Sequence, residues 1–309
     1  MTKEYKVEKV SFQPYSLKLK KPWNINDSVV DYRQGFYLAC TISGETFIGE
    51  ASPLPGLHLE SIEDIEQRLP KVSKILVTTK NPLLFKISED LFGNFPSLTN
   101  EPPSITSAIE QIFWLFFNRQ SPTQMANYTT IYTGRNRNYQ GYKAIKWKVR
   151  GKPMLVWDEL NAFSKAWPNT LIRIDGNRSI DPEELPKFCE VLSKFKNIDY
   201  IEEPCSNLRV AVDSTRNAGI KLAADESLWL NESLTKEAQV IVAKPQRLGG
   251  VSKVLQIKRK YPDKRLVLSH CFESPKTVAF LSKLGHAISP TENHGIYTQE
   301  FFATPKGAS

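Results

Sequence analysis

From about residue 128 onward, eight short apolar runs recur with helical stretches between them: TTIYTG, AIKWKV, TLIRID, IDYIEE, IKLAAD, QVIVAK, RLVLS and HAIS. Each is too short for a helix and too continuously apolar for a strand with one wet face. Runs of this kind are what parallel strands buried on both faces require. Strands alternating with helices predict an α/β fold, and eight of them predict a βα barrel of the TIM type. An open doubly wound sheet would often carry a Gly-rich phosphate loop after its first strand. Neither G-x-G-x-x-G nor the P-loop pattern occurs, which moves the reading to the barrel and away from nucleotide binding.

The preceding part of the chain has a different texture. VEKVSFQPYSLKL and GFYLACTISGETFIGEAS alternate and are rich in β-formers, with a turn at Ser43-Gly44-Glu45. SPLPGLHLESIEDIEQRL is a Pro/Gly loop running into a helix. A second loop is expected from Asn94 to Pro103, followed by an apolar helix, SITSAIEQIFWLFFNRQ, with Ser104 as its N-cap. The expected organisation is an α+β capping domain over residues 1–127, a barrel over 128–290, and a segment over 291–309 that returns to the cap. The fold class is thus a modified (β/α)7β barrel with an N-terminal α+β cap.

Composition narrows the function. Over 309 residues, 40% are hydrophobic and 24% charged, as in ordinary globular chains. No run of about 18 uncharged apolar residues could span a membrane, and the N-terminus lacks the apolar block of a secretory signal. The four cysteines form no C-x-x-C pair. Reduced thiols and a cytoplasmic location are expected. The net charge of +8 could attract nucleic acid, but the basic residues are scattered. The densest patch, KRKYPDKR at 258–265, reads as a helix end and turn with no nucleic-acid motif beside it. A small anionic substrate suits the sign equally well. The oligomeric state is not specified.

The runs end in ionisable residues. AIKWKV carries Lys146 and Lys148, TLIRID ends in Asp175, DYIEE in Glu202 and Glu203, IKLAAD in Asp225, QVIVAK in Lys244, and RLVLS in Ser269. From Lys148 the steps are 27, 27, 23, 19 and 25 residues, each about one βα unit. A single Asp after a strand is usually a helix cap. Five consecutive strands with an ionisable group at one edge exceed capping, and lysine is a poor cap because the helix dipole disfavours cations there. In barrels this C-terminal edge holds the active site. Asp175, Glu202 and Asp225 are hard oxygen ligands on adjacent strands, without His or Cys, and suit Mg2+. Lys146 and Lys148 share one strand face, where each ammonium is expected to lower the pKa of the other and free a neutral amine for proton abstraction. Lys244 lies across the ring. The whole reads as a device for removing a proton from the carbon beside a carboxylate, with the metal as Lewis acid.

These residues resemble the enolase superfamily, its muconate-lactonizing-enzyme-like subgroup, and within that the o-succinylbenzoate synthase family. The motifs are Lys146-x-Lys148, Asp175-Gly-Asn-Arg178, Ile201-Glu-Glu-Pro-Cys205, Ala224-Asp-Glu-Ser227, Ala243-Lys-Pro245 and Leu248-Gly-Gly250. In the first domain, Arg33-x-Gly and Gly49-Glu-Ala-Ser-Pro-Leu-Pro-Gly56 are similar to the family's capping strand and loop, and Ser269-x-x-x-Glu-Ser274 to its segment after the seventh strand. The likeness runs over roughly residues 30 to 298.

The resemblance implies dehydration of 2-succinyl-6-hydroxy-2,4-cyclohexadiene-1-carboxylate to o-succinylbenzoate, a carbon–oxygen lyase step in menaquinone synthesis. Lys148 would be base and then acid, Lys146 would tune it, and Lys244 would stabilise an enediolate from the opposite face. Asp175, Glu202 and Asp225 would hold Mg2+, with Glu203 and Glu226 as neighbours and Asn177 supporting the metal shell. Arg178, Ser269 and Gly295 would meet the substrate, the latter two through backbone N–H groups. The Pro53-Leu-Pro-Gly56 loop would close over the mouth. His58 and His270, near the expected mouth, are read either as backing the residues that do the chemistry or as incidental to it, and His286 and His294 as structural. Rival readings are an N-succinylamino acid racemase, a dipeptide epimerase or a muconate cycloisomerase on the same framework. A non-catalytic basic binding protein is the rival of another class.

Overall fold

A long hairpin opens the chain: β1 (Val7–Ile25) pairs antiparallel with β2 (Ser28–Ile42), which pairs with β3 (Glu45–Ala51) through a turn at Ser43–Gly44. The computed structural model describes residues 6–25, 28–78, 100–121, 124–135, 137–230, 232–296 and 301–303. The loop expected from Asn94 lies outside the described residues up to position 99. On β2 the alternation is clean, with Leu38, Cys40 and Ile42 all buried on one face. That face meets α1 (Ile62–Thr78), which buries Ile65, Leu69, Val72 and Leu76 at helical spacing. Ser61 and Asp64 cap this helix reciprocally: Asp64 N donates to Ser61 Oγ at 3.1 Å and Ser61 N to Asp64 Oδ2 at 2.8 Å.

Helix α2 (Pro103–Phe117) is buried along nearly its whole length because it is shared. Ile105, Ile109, Ile112 and Phe113 join the core of the cap, while Trp114 packs edge-on against Phe280 of the barrel, centroids 5.5 Å apart. Its start differs from the expectation. Pro103 takes the first helical position, where its missing N–H costs nothing, and Ser104 lies inside the helix. The cap comes from elsewhere, since Ser104 N and Oγ both donate to Glu60 Oε1, at 3.1 and 2.8 Å.

The barrel follows. β4 (Asn127–Tyr128) and β5 (Thr130–Ile131) are two pieces of a first strand. Then come β6 (Ala144–Lys148), β7 (Leu171–Asp175), β8 (Ile198–Glu202), β9 (Leu222–Ala224), β10 (Val240–Ala243) and β11 (Arg265–Leu268), all parallel and in sequence order. β12 (Asn293–His294) pairs with β4, and a bridge from Ser269 to Gly295 ties it to the end of β11, so the ring closes on eight strands. The eighth run expected from sequence, HAIS, is instead the last turn of α10 (Pro275–Ile288). Val278, Leu281, Leu284 and Ile288 form that helix's buried stripe, and a two-residue strand has no periodicity to read.

Around the ring lie α3 (Trp157–Ala166), α4 (Leu185–Leu192), α5 (Leu208–Asn217), α6 (Ser227–Leu230), α7 (Glu232–Glu237), α8 (Pro245–Leu248), α9 (Val251–Lys260) and α10. Among the described residues no helix stands between β5 and β6. There Tyr132 stacks on Trp147 at 3.6 Å between centroids and on Tyr139 at 5.4 Å, and aromatic rings cover the sheet instead. The architecture is a modified (β/α)7β barrel with an α+β cap.

Polar networks join cap to barrel. Arg33 is buried and donates to carbonyls of Pro53 (2.9 Å), Cys271 (3.3 Å) and Ser52, which ties the base of the Pro53–Gly56 loop to the segment after β11. Gln246 donates to Glu50 O at 2.7 Å and accepts from Ser52 N at 2.9 Å. At the tail, Phe302 bridges to Leu19 of β1.

Candidate active site

Strand register assembles the site. Lys148 is level with Asp175, Asp175 with Glu202, and Glu202 with Ala223, two residues before Asp225. In parallel strands level residues point the same way, so Lys148, Asp175, Glu202 and Asp225 all turn into the barrel mouth, with Lys146 one layer deeper. Asp175, Glu202 and Asp225 are buried. Lys146 Nζ bridges Asp175 Oδ2 (2.9 Å) and Glu202 Oε1 (2.8 Å), and Lys244 pairs with Asp225 Oδ2. Lys148 Nζ lies 3.5 Å from Asp175 Oδ2 and donates to Asn177 Oδ1 at 2.9 Å. The side chain of Lys148 is 38% exposed, against 16% for Lys146 and 11% for Lys244. All three amines line the cavity, and Lys148 is the most exposed of them.

The electrostatics invert one expectation. Burial pulls the Lys146 amine down, but Asp175 and Glu202 more than offset this and leave it well above the usual range. Lys244 is likewise raised, with Asp225 and Glu226 outweighing burial. The partner ammonium is the weaker influence, because the carboxylates are closer. Burial pushes Asp175 up, yet Lys146 and Lys148 hold it below the usual carboxylate range. For Glu202 burial prevails over Lys146, and for Asp225 over Lys244, so both carboxyls are raised.

Three carboxylates against these amines leave acceptor capacity over. Glu202 Oε2, Asp225 Oδ1 and Glu226 Oε2 are buried and accept no hydrogen bond. Leaving a buried charged oxygen unpaired is costly. A hard divalent cation supplies what such oxygens lack, so the donor set fits Mg2+. Among the described residues the acids do not yet converge as a closed set of three ligands, since the amines stand between them.

The segment after β7 wraps over the end of β8. Gly176 N donates to Glu202 O at 2.9 Å and Arg178 N to Glu203 O at 2.6 Å. A Cβ on Gly176 would lie 2.5 Å from Pro204 O, so only glycine passes here. Asn177, Arg178 and Glu203 all sit at positive φ (41°, 59° and 38°). Such strain clusters where a site over-determines its backbone. Glu203 faces away from the mouth and accepts from Asp225 N (2.9 Å), Ser227 N (2.7 Å) and Ser227 Oγ (2.9 Å). Arg178 Nε lies 3.7 Å from Glu203 Oε2.

Ser269 and Gly295 lie side by side in the wall of the cavity that Lys146, Lys148, Asp175 and Lys244 also line. Their backbone N–H groups are already engaged, Ser269 N to Ala243 O (2.9 Å) and Gly295 N to Leu268 O (2.8 Å). Strand pairing thus takes both amide donors, and the Ser269 hydroxyl donates to Gly295 O at 3.2 Å. Thr129 and Ile131 of the first strand, His270 and Phe272 complete the walls. The first strand offered no ionisable residue to notice, and Phe272 at φ 59° follows no motif. His294 is a strut: its Nδ1 accepts from Leu268 N at 2.9 Å, and its Nε2 lies 3.1 Å from Ser289 O. His58 Nδ1 accepts from Leu54 N at 3.0 Å within the Pro53–Gly56 loop.

Comparison with known proteins adds three findings. Residues 133–301 match the family model described as enolase C-terminal domain-like. The o-succinylbenzoate synthase of Vibrio cholerae serotype O1 is 24% identical, spanning 93% of this chain and 88% of that protein. Among solved structures, MenC from Desulfotalea psychrophila superposes with a TM-score of 0.72 at 18% identity, covering 96% of each chain. A dipeptide epimerase from Enterococcus faecalis, complexed with Mg and the dipeptide L-Leu-L-Tyr, gives a TM-score of 0.77 at 16% identity over 94% of this chain and 90% of its own.

Proposed function

This chain belongs to the enolase C-terminal domain-like family, and on that premise we propose that it is a Mg2+-dependent o-succinylbenzoate synthase. The observation that carries the reading is the ring of Lys146, Lys148, Asp175, Glu202, Asp225 and Lys244 at one barrel edge, with buried carboxylate oxygens left over in its middle. Asp175, Glu202 and Asp225 would hold the cation, which supplies Lewis-acid stabilisation to a substrate carboxylate as negative charge develops there. Lys148, the most exposed of the amines lining the cavity, takes the proton from the carbon beside that carboxylate. It then returns the proton to the departing hydroxide, so water leaves from the same face. Lys146 is held between two carboxylates and cannot leave them cheaply; it keeps positive charge beneath Lys148. Lys244 presents positive charge from the other wall. The substrate class is a small dicarboxylate, and the product would enter menaquinone synthesis.

A second reading has its own support. Amines flank the acids on two sides, Lys148 from β6 and Lys244 after β10, which also suits removal of a proton from one face and its return to the other. That is the chemistry of an N-succinylamino acid racemase or dipeptide epimerase. One experiment separates them. The purified protein is given the hydroxycyclohexadiene substrate with Mg2+ and with EDTA, and loss of diene absorbance is followed. In parallel, N-succinyl amino acids are incubated in D2O and deuterium at the α-carbon is read by NMR. The synthase reading expects Mg2+-dependent loss of absorbance. Deuterium incorporation without that loss would transfer the assignment to racemisation, and inactivity of both with Mg2+ present would remove the enzyme reading.

A further inference from the structure

We propose that Glu226 is a positioning residue for Lys148, acting through the side-chain amide of Asn177. The proposal rests on the reading that Lys148 handles the proton, and assigns a role to a carboxylate that reading leaves idle.

The geometry is a chain of three groups from three strand ends. Lys148 Nζ donates to Asn177 Oδ1 at 2.9 Å, and Asn177 Nδ2 donates to Glu226 Oε1 at 3.2 Å. The backbone of Asn177 is pinned: its N–H donates to Asp175 Oδ1 at 3.1 Å, and the next residue, Arg178, donates from its N–H to Glu203 O. Only rotation of the amide remains open. An amide has one accepting and one donating end of nearly equal shape, so its own packing cannot choose between two orientations. The neighbours can. An ammonium only donates and requires Oδ1; a carboxylate only accepts and requires Nδ2. Glu226 thereby forces the carbonyl toward Lys148. In the reverse orientation the NH2 group would face the ammonium and repel it. The lysine stem has four rotatable bonds, so a fixed acceptor at its tip decides where the amine points. Small misplacements of a reacting group cost large factors in rate.

The test uses the full chain and Glu226→Ala, Asn177→Ala, the double variant and Glu226→Gln. Reductive methylation with formaldehyde and cyanoborohydride is followed lysine by lysine by peptide mass spectrometry. Lys148 is expected to be modified severalfold faster in Glu226→Ala and in Asn177→Ala, with no further gain in the double variant, because the two residues act as one unit. Glu226→Gln, whose amide oxygen still accepts from Asn177, is expected to restore slow modification. With active protein, kcat should fall on the order of 10- to 100-fold in Glu226→Ala while KM and Mg2+ affinity by calorimetry stay within about twofold. Should Glu226→Ala fail to fold, Glu226→Met keeps the volume and removes the acceptor. Unchanged Lys148 modification, or effects that multiply in the double variant, would overturn the proposal. A large loss of Mg2+ affinity would also overturn it, by making Glu226 a metal ligand. Labelling and calorimetry need no turnover, so a protein inactive on the synthase substrate would defeat the functional reading and still decide this one.

Discussion

Lys148 differs from its two companions in having no carboxylate contact closer than 3.5 Å and the greatest exposure. Removing it should therefore take away chemistry without leaving a buried acid bare. Lys148→Ala is expected to lower kcat by at least about 100-fold, the lower range for a general base, with the thermal midpoint nearly unchanged; appreciable remaining turnover would refute the assigned base. Lys146→Ala is the contrasting case. It strands Asp175 and Glu202, both buried, and should cost about 3 kcal/mol or more of stability in addition to activity. Asp225→Asn removes a formal charge from the proposed ligand set and should weaken Mg2+ binding, read by calorimetry. Unchanged affinity would count against Asp225 as a ligand.

Between elements, one contact that holds the cap on the barrel is α2 against the end of α8 and the start of α9. Glu110 of α2 accepts from Ser252 N at 2.7 Å, and Thr106 Oγ1 donates to Gly249 O at 3.0 Å. A carboxylate at a helix N-terminus is favourable, and here it belongs to the other domain. Gly250 makes room for it: φ is 123°, and a Cβ would lie 2.3 Å from Glu110 Oε2. Gly250→Ala should destabilise by about 1–3 kcal/mol through strain and displacement of that carboxylate. The check is the denaturant midpoint, and an unchanged midpoint would mean that Glu110 yields freely. The same element shows why the helix ends differ from what the pattern suggested. Ser104 has the chemistry of a cap, but Glu60 reaches the α2 N-terminus from a distant part of the chain.

At the scale of the molecule, acid acts on the fold through buried groups of opposite sign: the raised Glu202 and Asp225 carboxyls favour the folded chain as pH falls, and the buried histidines oppose it. Burial is the chief cause that lowers His58, to about 3, and His270 and His294 as well. These rings stay neutral in the folded chain while the unfolded chain takes up protons below about pH 6.5. Their contribution to stability is thus complete above that value and is lost as pH falls toward the folded pKa values. Asp199 acts lower. Burial pushes it up, but Arg265 and Arg173, at 2.7 and 2.8 Å, hold it below the usual range. Its contribution is present above about pH 4 and is lost only as pH falls through its folded value. The difference in urea midpoint between the protein and its His58→Gln variant should shrink in the protein's disfavour as pH falls from about 7.5 to about 5; a constant difference would contradict a buried neutral His58.

The sequence by itself determined the barrel, the cap and the ring of ionisable residues, because each is written in local chemistry. Continuous apolar runs need burial on both faces, and the steps from Lys148 to Ser269 repeat the length of a βα unit. Tertiary structure decided what depends on contacts distant in sequence. The closing strand Asn293–His294 is too short to carry a pattern and exists only because β4 and β11 leave a gap that it fills. Lys146 and Lys244 are raised because Asp175, Glu202 and Asp225 come from other strands and pair with them. The amide protons of Ser269 and Gly295 are consumed by ring closure, and the orientation of Asn177 is set by Glu226, 49 residues away. Residue types announce which chemistry is possible; partners brought together by folding choose which atom performs it.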